Sequence, residues 1–247
     1  MKVVFHEDFY QVYTDDPAAE PGRMESIVTG ISDVAEWVPA EPASEAAIAA
    51  VHTTDHIERI RRFGLYDIAA RAAGGAVQAA EIGMTEPCFG AIRPPGHHAS
   101  AGSCWGFCFF NNMAIAVESL RRSGRIRSAY ILDFDLHFGD GTENILGKRS
   151  YVTIHNPGSH DRNAYLQEVE DELRRYPADV IGVSAGFDNH RQDWGGLLTT
   201  DDYADMGRMV REAARRNGGG CFALLEGGYN CDVLGRNARA LMQGLAG

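Results

Sequence analysis

One α/β domain spanning residues 1–247, with a mostly parallel sheet covered by helices on both faces, is the fold class this sequence predicts. Three observations carry that prediction. Runs such as Val180-Ile181-Gly182-Val183-Ser184 are apolar at every other position on both sides, which marks strands buried on both faces. These runs alternate with stretches whose apolar residues recur at helical spacing, the rhythm of βα units. A chain of 247 residues is long enough to bury a substantial core, and no linker, repeat or low-complexity segment divides it.

The elements follow in order. Residues 2–6 read as the first strand. Pro21 opens a helical pattern through Met24, Ile27, Ile31, Val34 and Trp37 that ends near Pro39. Ser44 caps a short Ala-rich helix, and Asp55 caps another carrying Ile57 and Ile60. Residues 68–82 form a longer helix in which Gly74 and Gly75 allow close packing. Residues 88–92 make a core strand stopped by Pro94-Pro95-Gly96, and Asn111 or Asn112 caps a helix with Met113, Ala116, Val117 and Leu120 on one face. A central strand begins at Tyr130 and another covers 151–155. Asp161 caps a helix to about Tyr176, with Leu166, Val169 and Leu173 inward. After the strand at 180–184, Thr200 caps a helix through Arg216, which Gly218-Gly219-Gly220 closes before the last strand at 221–225.

Composition narrows the function. Hydrophobic residues make up 45% and charged residues 23%, as in an ordinary globular chain. A net charge of −11 argues against a nucleic-acid partner, for which a basic face is expected, and is compatible with a cationic substrate. No apolar run has the length to span a bilayer, so no membrane partner is expected. The first residues turn acidic too soon for a secretory signal. Five scattered cysteines, Cys88, Cys104, Cys108, Cys221 and Cys231, have no finger spacing and point to reduced thiols in a cytoplasm.

The chemistry concentrates around Asp133-Phe134-Asp135-Leu136-His137-Phe138-Gly139-Asp140-Gly141. In extended backbone, Asp133, Asp135 and His137 project to one side. An isolated D-x-H reads more readily as a strand running out into a polar turn, so the rest of the chain must decide. Three further strands end in comparable clusters: Arg93 to Ala99 with His97 and His98, Ala185 to His190 with Asp188, and Glu226 to Asn230 with Tyr229. In open α/β sheets, ligands gather beyond the carboxyl ends of the strands.

Asp135, His137 and Asp188 supply two carboxylates and one imidazole and leave a fourth position for water, as at a catalytic zinc. His97 and His98 are then acid–base groups, and Asp133 and Asp140 can each fix one imidazole's tautomer. Tyr229, on the Gly227-Gly228 turn, offers a hydroxyl to a developing oxyanion. Together these parts describe metal-assisted hydrolysis of a carbonyl compound.

Five motifs, RPPGHHA at 93–99, GFCFFNN at 106–112, DFDLHFGDGT at 133–142, SAGFD at 184–188 and EGGYN at 226–230, come in the order of a known family. The chain resembles the zinc-dependent deacetylases of the histone deacetylase and acetylpolyamine amidohydrolase group, which share the arginase-like α/β fold. The resemblance implies one zinc on Asp135, His137 and Asp188, with His98 as general base and acid and His97 as its electrostatic partner. It implies Tyr229 as the carbonyl-polarising hydroxyl, Asp133 supporting His97, Asp140 supporting His98, and Gly106 and Phe107 lining the acyl-amine tunnel. It also implies a potassium ion near Asp133, Asp135, His137, Thr153 and Ile154, and a small acylated amine such as an acetylpolyamine or acetyl-lysine as substrate.

Other candidates read as structure. His52, His155 and His160 have no partner at ligand spacing, His190 is a partner of the site or a surface imidazole, and Cys108 is packing. The chain has shortened loops for this family, notably after Asn156, which predicts a wide, partly open entrance with one aromatic wall missing. Phe138 stands where many relatives carry a second histidine, outside the metal set. Two other functions remain open at this point. A ureohydrolase-like C–N hydrolase would hold two manganese ions, but no second acid-rich triplet follows at 184–190. A non-catalytic module that binds acylated amines would need no proton carrier, which the histidine pair and Tyr229 argue against.

Overall fold

Strand and helix alternate along the whole chain in the computed structural model, which describes residues 1–247. The elements are β1 (Lys2–Phe5), α1 (Arg23–Ile31), β2 (Glu36–Pro39), α2 (Glu45–Ile48), α3 (Thr54–Arg62), α4 (Tyr66–Gly83), β3 (Cys88–Gly90) and α5 (Asn112–Arg122). There follow β4 (Ala129–Asp133), α6 (Asp140–Leu146), β5 (Val152–His155), α7 (Arg162–Arg175), β6 (Val180–Ala185), α8 (Thr200–Asn217), β7 (Gly220–Leu225) and α9 (Cys231–Ala246). All seven strands lie in one sheet in the order β2-β1-β3-β7-β6-β4-β5, and every pairing is parallel.

Burial follows that order. Every residue of β3, β7, β6 and β4 is buried, whereas the edge strand β2 is largely exposed. Helices α4 and α5 pack together on one face, with α4 against β1, β3 and β7. On the other face α7, α8, α9 and α1 pack in succession, with α8 against β6 and β7. The four central strands therefore end side by side, and their carboxyl-terminal loops share one rim. No helix is long and apolar enough to cross a membrane.

Several local expectations need correction. The helical pattern from Pro21 stops at Ile31, and residues 36–39 form a parallel edge strand in register with β1. Trp37, read as the last helical position, packs its ring 5.5 Å from that of Phe5. Over so short a run, apolar spacing fits either period, and the open edge of β1 decides. The cap of α3 is Thr53, not Asp55, because its side chain accepts the His56 N–H. The cap of α8 is Thr199, which forms a capping box with Asp202. The C-terminal helix α9 went unforeseen; its contact face is partly glycine, and Gly235 lies against Gly30 of α1.

The packing role of Gly74 stands out. A Cβ there would lie 1.9 Å from the Glu41 carbonyl oxygen and 2.4 Å from the Ala43 nitrogen, so the 41–43 segment crosses α4 at backbone contact. The Gly74→Ala protein is expected to lose about 2 kcal/mol, or roughly 4–8 °C in melting temperature at this size. Gly158, with nothing within 4 Å of an added Cβ, is the control: Gly158→Ala should stay within about 0.5 kcal/mol of wild type. Thermal unfolding followed by circular dichroism compares the two, and equal melting temperatures would refute the packing argument.

Candidate active site

The loop after β4 is shaped by its own carboxylates. Asp133 Oδ1 accepts the Asp135 N–H at 3.2 Å, and Asp135 Oδ1 accepts the His137 N–H at 2.9 Å. Each bond turns the backbone so that successive side chains drop into the rim. Neighbouring loops are tied to the same groups. Asp135 Oδ2 accepts the Gly227 N–H at 2.8 Å, and Asp188 Oδ1 accepts the Leu136 N–H at 3.1 Å. The ends of β4, β6 and β7 are thereby cross-linked through two carboxylates.

One ligand atom each from Asp135, His137 and Asp188 lies within 4.8 Å of the others. Both aspartate side chains are buried, neither is paired with a lysine or arginine, and His137 Nδ1 sits 3.3 Å from Asp135 and 3.2 Å from Asp188. That contact to Asp188 is with its buried Oδ2, which makes no well-aligned hydrogen bond to any protein group. Burial and then the charge of Asp135 push the Asp188 carboxyl up. Burial also works against Asp135, yet the His97 and His137 imidazoles hold its carboxyl low. Two converging buried carboxylates and one imidazole are a donor set that fits a divalent cation.

Beside this set stand two histidine–carboxylate pairs. His97 Nδ1 is 3.0 Å from Asp133 Oδ2, and His98 Nδ1 is 2.6 Å from Asp140 Oδ1. The two imidazoles face each other at 4.0 Å between centroids. Burial opposes charge on His97, but the carboxylates of Asp135 and Asp133 outweigh it and raise its pKa well above the usual histidine value. Burial, reinforced by the neighbouring His97, lowers His98 to about 4 despite Asp140. The two imidazoles are thus pushed in opposite directions by their surroundings.

Tyr229 enters the same cavity, of about 100 Å³, which is lined also by His97, His98, His137, Gly106 and Phe107. Asp193 Oδ2 accepts the backbone N–H groups of Tyr229 and Asn230, each at 2.8 Å, and Trp194 stacks on the tyrosine ring at 4.0 Å. Burial pushes the Tyr229 hydroxyl far above its ordinary pKa, so it keeps its proton. Trp105 and Trp194 complete an aromatic lining with Phe107 and Tyr229. The expectation of a missing aromatic wall is thereby corrected: two exposed tryptophans, carried by the loop before Gly106 and the loop after Asp188, line the mouth.

Glu226 and Arg23 are functional supports that the sequence reading did not single out. Glu226 Oε2 accepts the N–H groups of Gly96 and His97 at 2.7 and 3.2 Å, joining the histidine loop to the β7 loop. Burial pushes its carboxyl up to about 7. Buried Arg23 donates to the carbonyls of Gly228 and Glu226 and lies 5.6 Å from the Tyr229 ring centroid. Glu226 was visible within EGGYN; Arg23, some two hundred residues earlier, carried no local signal. Asn111 caps α5 and donates to the Ala99 carbonyl at 3.0 Å, while Asn112 donates to Pro94 O at the same distance.

The remaining candidates fall elsewhere. His52 accepts the Asn111 N–H, and His155 bonds the Tyr130 hydroxyl. His160 is exposed. His190 is buried and accepts the Gln192 N–H, bracing the loop that carries Trp194. Cys108 is buried with its sulfur 3.4 Å from the His98 nitrogen. Thr153 and Ile154 lie in β5 opposite Tyr130 and Ile131, on the flank of the strand that delivers Asp133.

Fold and site define a class: a parallel α/β protein with a three-ligand cation set and histidine–carboxylate pairs at the carboxyl rim of its sheet. Residues 63–165 and 157–245 match the family described as "Histone deacetylase domain". A "Probable deacetylase" of Methanothermobacter thermautotrophicus is 30% identical, over 99% of this chain and 91% of its own length. A "Histone deacetylase-like amidohydrolase" of Pseudomonas aeruginosa is 28% identical, over 84% of this chain and 70% of its own. The crystal structure of the HDA15 HD domain superposes with a TM-score of 0.84 at 22% identity, covering 99% of this chain and 89% of that one, which establishes the fold. The chain belongs to the histone deacetylase family.

The donor set makes a direct prediction. Protein purified without chelator is expected to hold about one divalent cation per chain. Asp188→Ala should keep its circular dichroism spectrum while its cation affinity falls by more than the roughly 10–100-fold typical of losing an outer partner. Elemental analysis and metal titration measure both; two tightly held ions per chain would refute a single three-ligand site.

Proposed function

We propose that this chain is a metal-dependent amidohydrolase that removes an acetyl or other small acyl group from an amine nitrogen, with Asp135, His137 and Asp188 holding the cation. The observation that carries the reading is geometric: two adjacent imidazoles, each bonded through Nδ1 to its own carboxylate at 3.0 and 2.6 Å, face the same small cavity as His137 and Tyr229. A binding pocket alone has no use for two carboxylate-oriented imidazoles beside a hydroxyl and a cation donor set. Zinc is the cation the three ligands suit, and when bound it supplies Lewis acidity to the amide carbonyl and lowers the pKa of water toward about 7.

The chain's own residues do the rest. Asp140 binds His98 Nδ1, so the ring's other nitrogen accepts the proton of the attacking water. The water oxygen bonds to the carbonyl carbon while the Tyr229 hydroxyl donates to the oxygen that becomes negative. His98 then returns the proton to the leaving nitrogen as the C–N bond breaks, giving a carboxylic acid and an amine. His97, held by Asp133 and Glu226 and 4.0 Å from the His98 ring, is its electrostatic partner. The aromatic lining fits an apolar stem, so an acylated lysine, polyamine or similar small amine is the proposed substrate class, with each buried CH₂ contributing about 0.8 kcal/mol. A potassium ion on the β4–β5 side, near Asp133, Asp135, His137, Thr153 and Ile154, is part of the same reading.

Turnover of acetyl-lysine peptides and acetylpolyamines, measured with metal removed and then restored, tests the function. Turnover that vanishes and returns with the cation is expected; binding without turnover in the loaded protein would overturn the hydrolase reading. Tyr229→Phe should leave metal content unchanged and lower the rate by about 10²-fold or more, the typical effect of an oxyanion donor. His98→Ala should cost about 10²–10⁴-fold, and His97→Ala less. Equal residual rates for the two histidine variants would reverse or cancel their assigned roles.

A further inference from the structure

Trp105 has no place in the reaction as described, yet it is built into it. The indole is 56% exposed, so burial does not hold it. Its Nε1–H donates to Asp140 Oδ2 at 2.9 Å, and the other oxygen of that carboxylate is the one 2.6 Å from His98 Nδ1. The indole also lies on the His98 ring at 3.9 Å and 31°. His97 lies at 4.0 Å, and two rings so close cannot share one face, so His98 is sandwiched between them.

The backbone is bent to allow this contact. Gly106 and Phe107 both have positive φ, at 56° and 67°, and a Cβ on Gly106 would fall 2.3 Å from His98 Cδ2. For phenylalanine that conformation is uncommon and needs a surrounding that enforces it. Asp140 gives the contact a purpose. Its side chain is 43% exposed and heads α6 at the open rim, where a carboxylate with one partner is free to turn toward water. With both oxygens engaged, its rotamer is fixed on His98.

We propose that Trp105 is a positioning residue for the proton carrier: its N–H locks Asp140 onto His98, and its ring holds the imidazole plane. The proposal rests on His98 being the acid–base group of the hydrolysis proposed above. Trp105 thus acts through Asp140 rather than on the substrate, although it also lines the cavity mouth.

Trp105→Phe keeps a ring and removes the N–H. A hydrogen bond to a charged group is worth a factor of roughly ten to a hundred, so kcat is expected to fall at least about tenfold. KM should change less than about twofold, the pattern of a lost transition-state contact rather than lost binding. Circular dichroism and metal content should be unchanged. In an Asp140→Ala background, which has no acceptor for the indole, the same substitution should add nothing, since residues acting through one another are not additive. A rise in KM of equal size in both backgrounds with kcat untouched would overturn the proposal and make Trp105 only a wall. A second measurement does not depend on turnover. In ¹⁵N-labelled wild-type protein the Trp105 indole N–H should exchange slowly with water, and Asp140→Ala should remove that protection; an unprotected indole in the wild type overturns the proposal. A protected indole in a loaded protein that hydrolyses no acylated amine instead overturns the function assigned to His98, leaving the Trp105–Asp140 contact standing.

Discussion

Everything at the rim depends on Asp135, a carboxylate that must stay charged where water does not reach. It hangs from the end of β4, accepts the amide of Gly227 from the β7 loop, and accepts the amide of His137 from its own loop. It faces Asp188 from β6, whose Oδ2 lies 3.2 Å from His137 Nδ1. Two carboxylates brought this close in a protein interior are costly, commonly by several kcal/mol, unless positive charge meets them. Here His137 lies against both acids and His97 lies 3.8 Å from Asp135.

The supports around that centre form a single backbone-directed frame. Glu226 reaches from the β7 loop to the amides before and at His97, Arg23 grips the carbonyls on either side of Gly227, and Asp193 holds the amide of Tyr229. Each is a charged side chain spent on main-chain groups, which fixes loops without a helix or strand to carry them. The functional side chains therefore keep rotamers free for chemistry.

Electrostatics then separates the two histidines, which are neighbours in sequence and nearly in contact in space. His97 sees Asp135, Asp133 and Glu226; His98 is pushed down by burial and the charge of His97, against Asp140 at the wet edge and the more distant Asp135. Like groups in unlike surroundings are pushed in opposite directions.

The sequence by itself determined the sheet, its parallel sense and the four strand ends that carry the polar clusters, because alternation of buried runs and amphipathic helices is a local signal. It also singled out the three side chains that the fold gathers within 4.8 Å of one another and both histidine–carboxylate pairs, since those spacings repeat motifs that lie within a few residues of a strand end. It misjudged residues 34–39 and passed over α9, where the deciding partner was a distant strand edge or a helix approached through Gly30 and Gly235. Only the tertiary structure decided how the entrance is lined, that Arg23 reaches the far loop, and that Trp105 shares Asp140 with His98. Those contacts join segments far apart in the chain through loops in left-handed backbone, and neither periodicity nor motif spacing encodes where such loops meet.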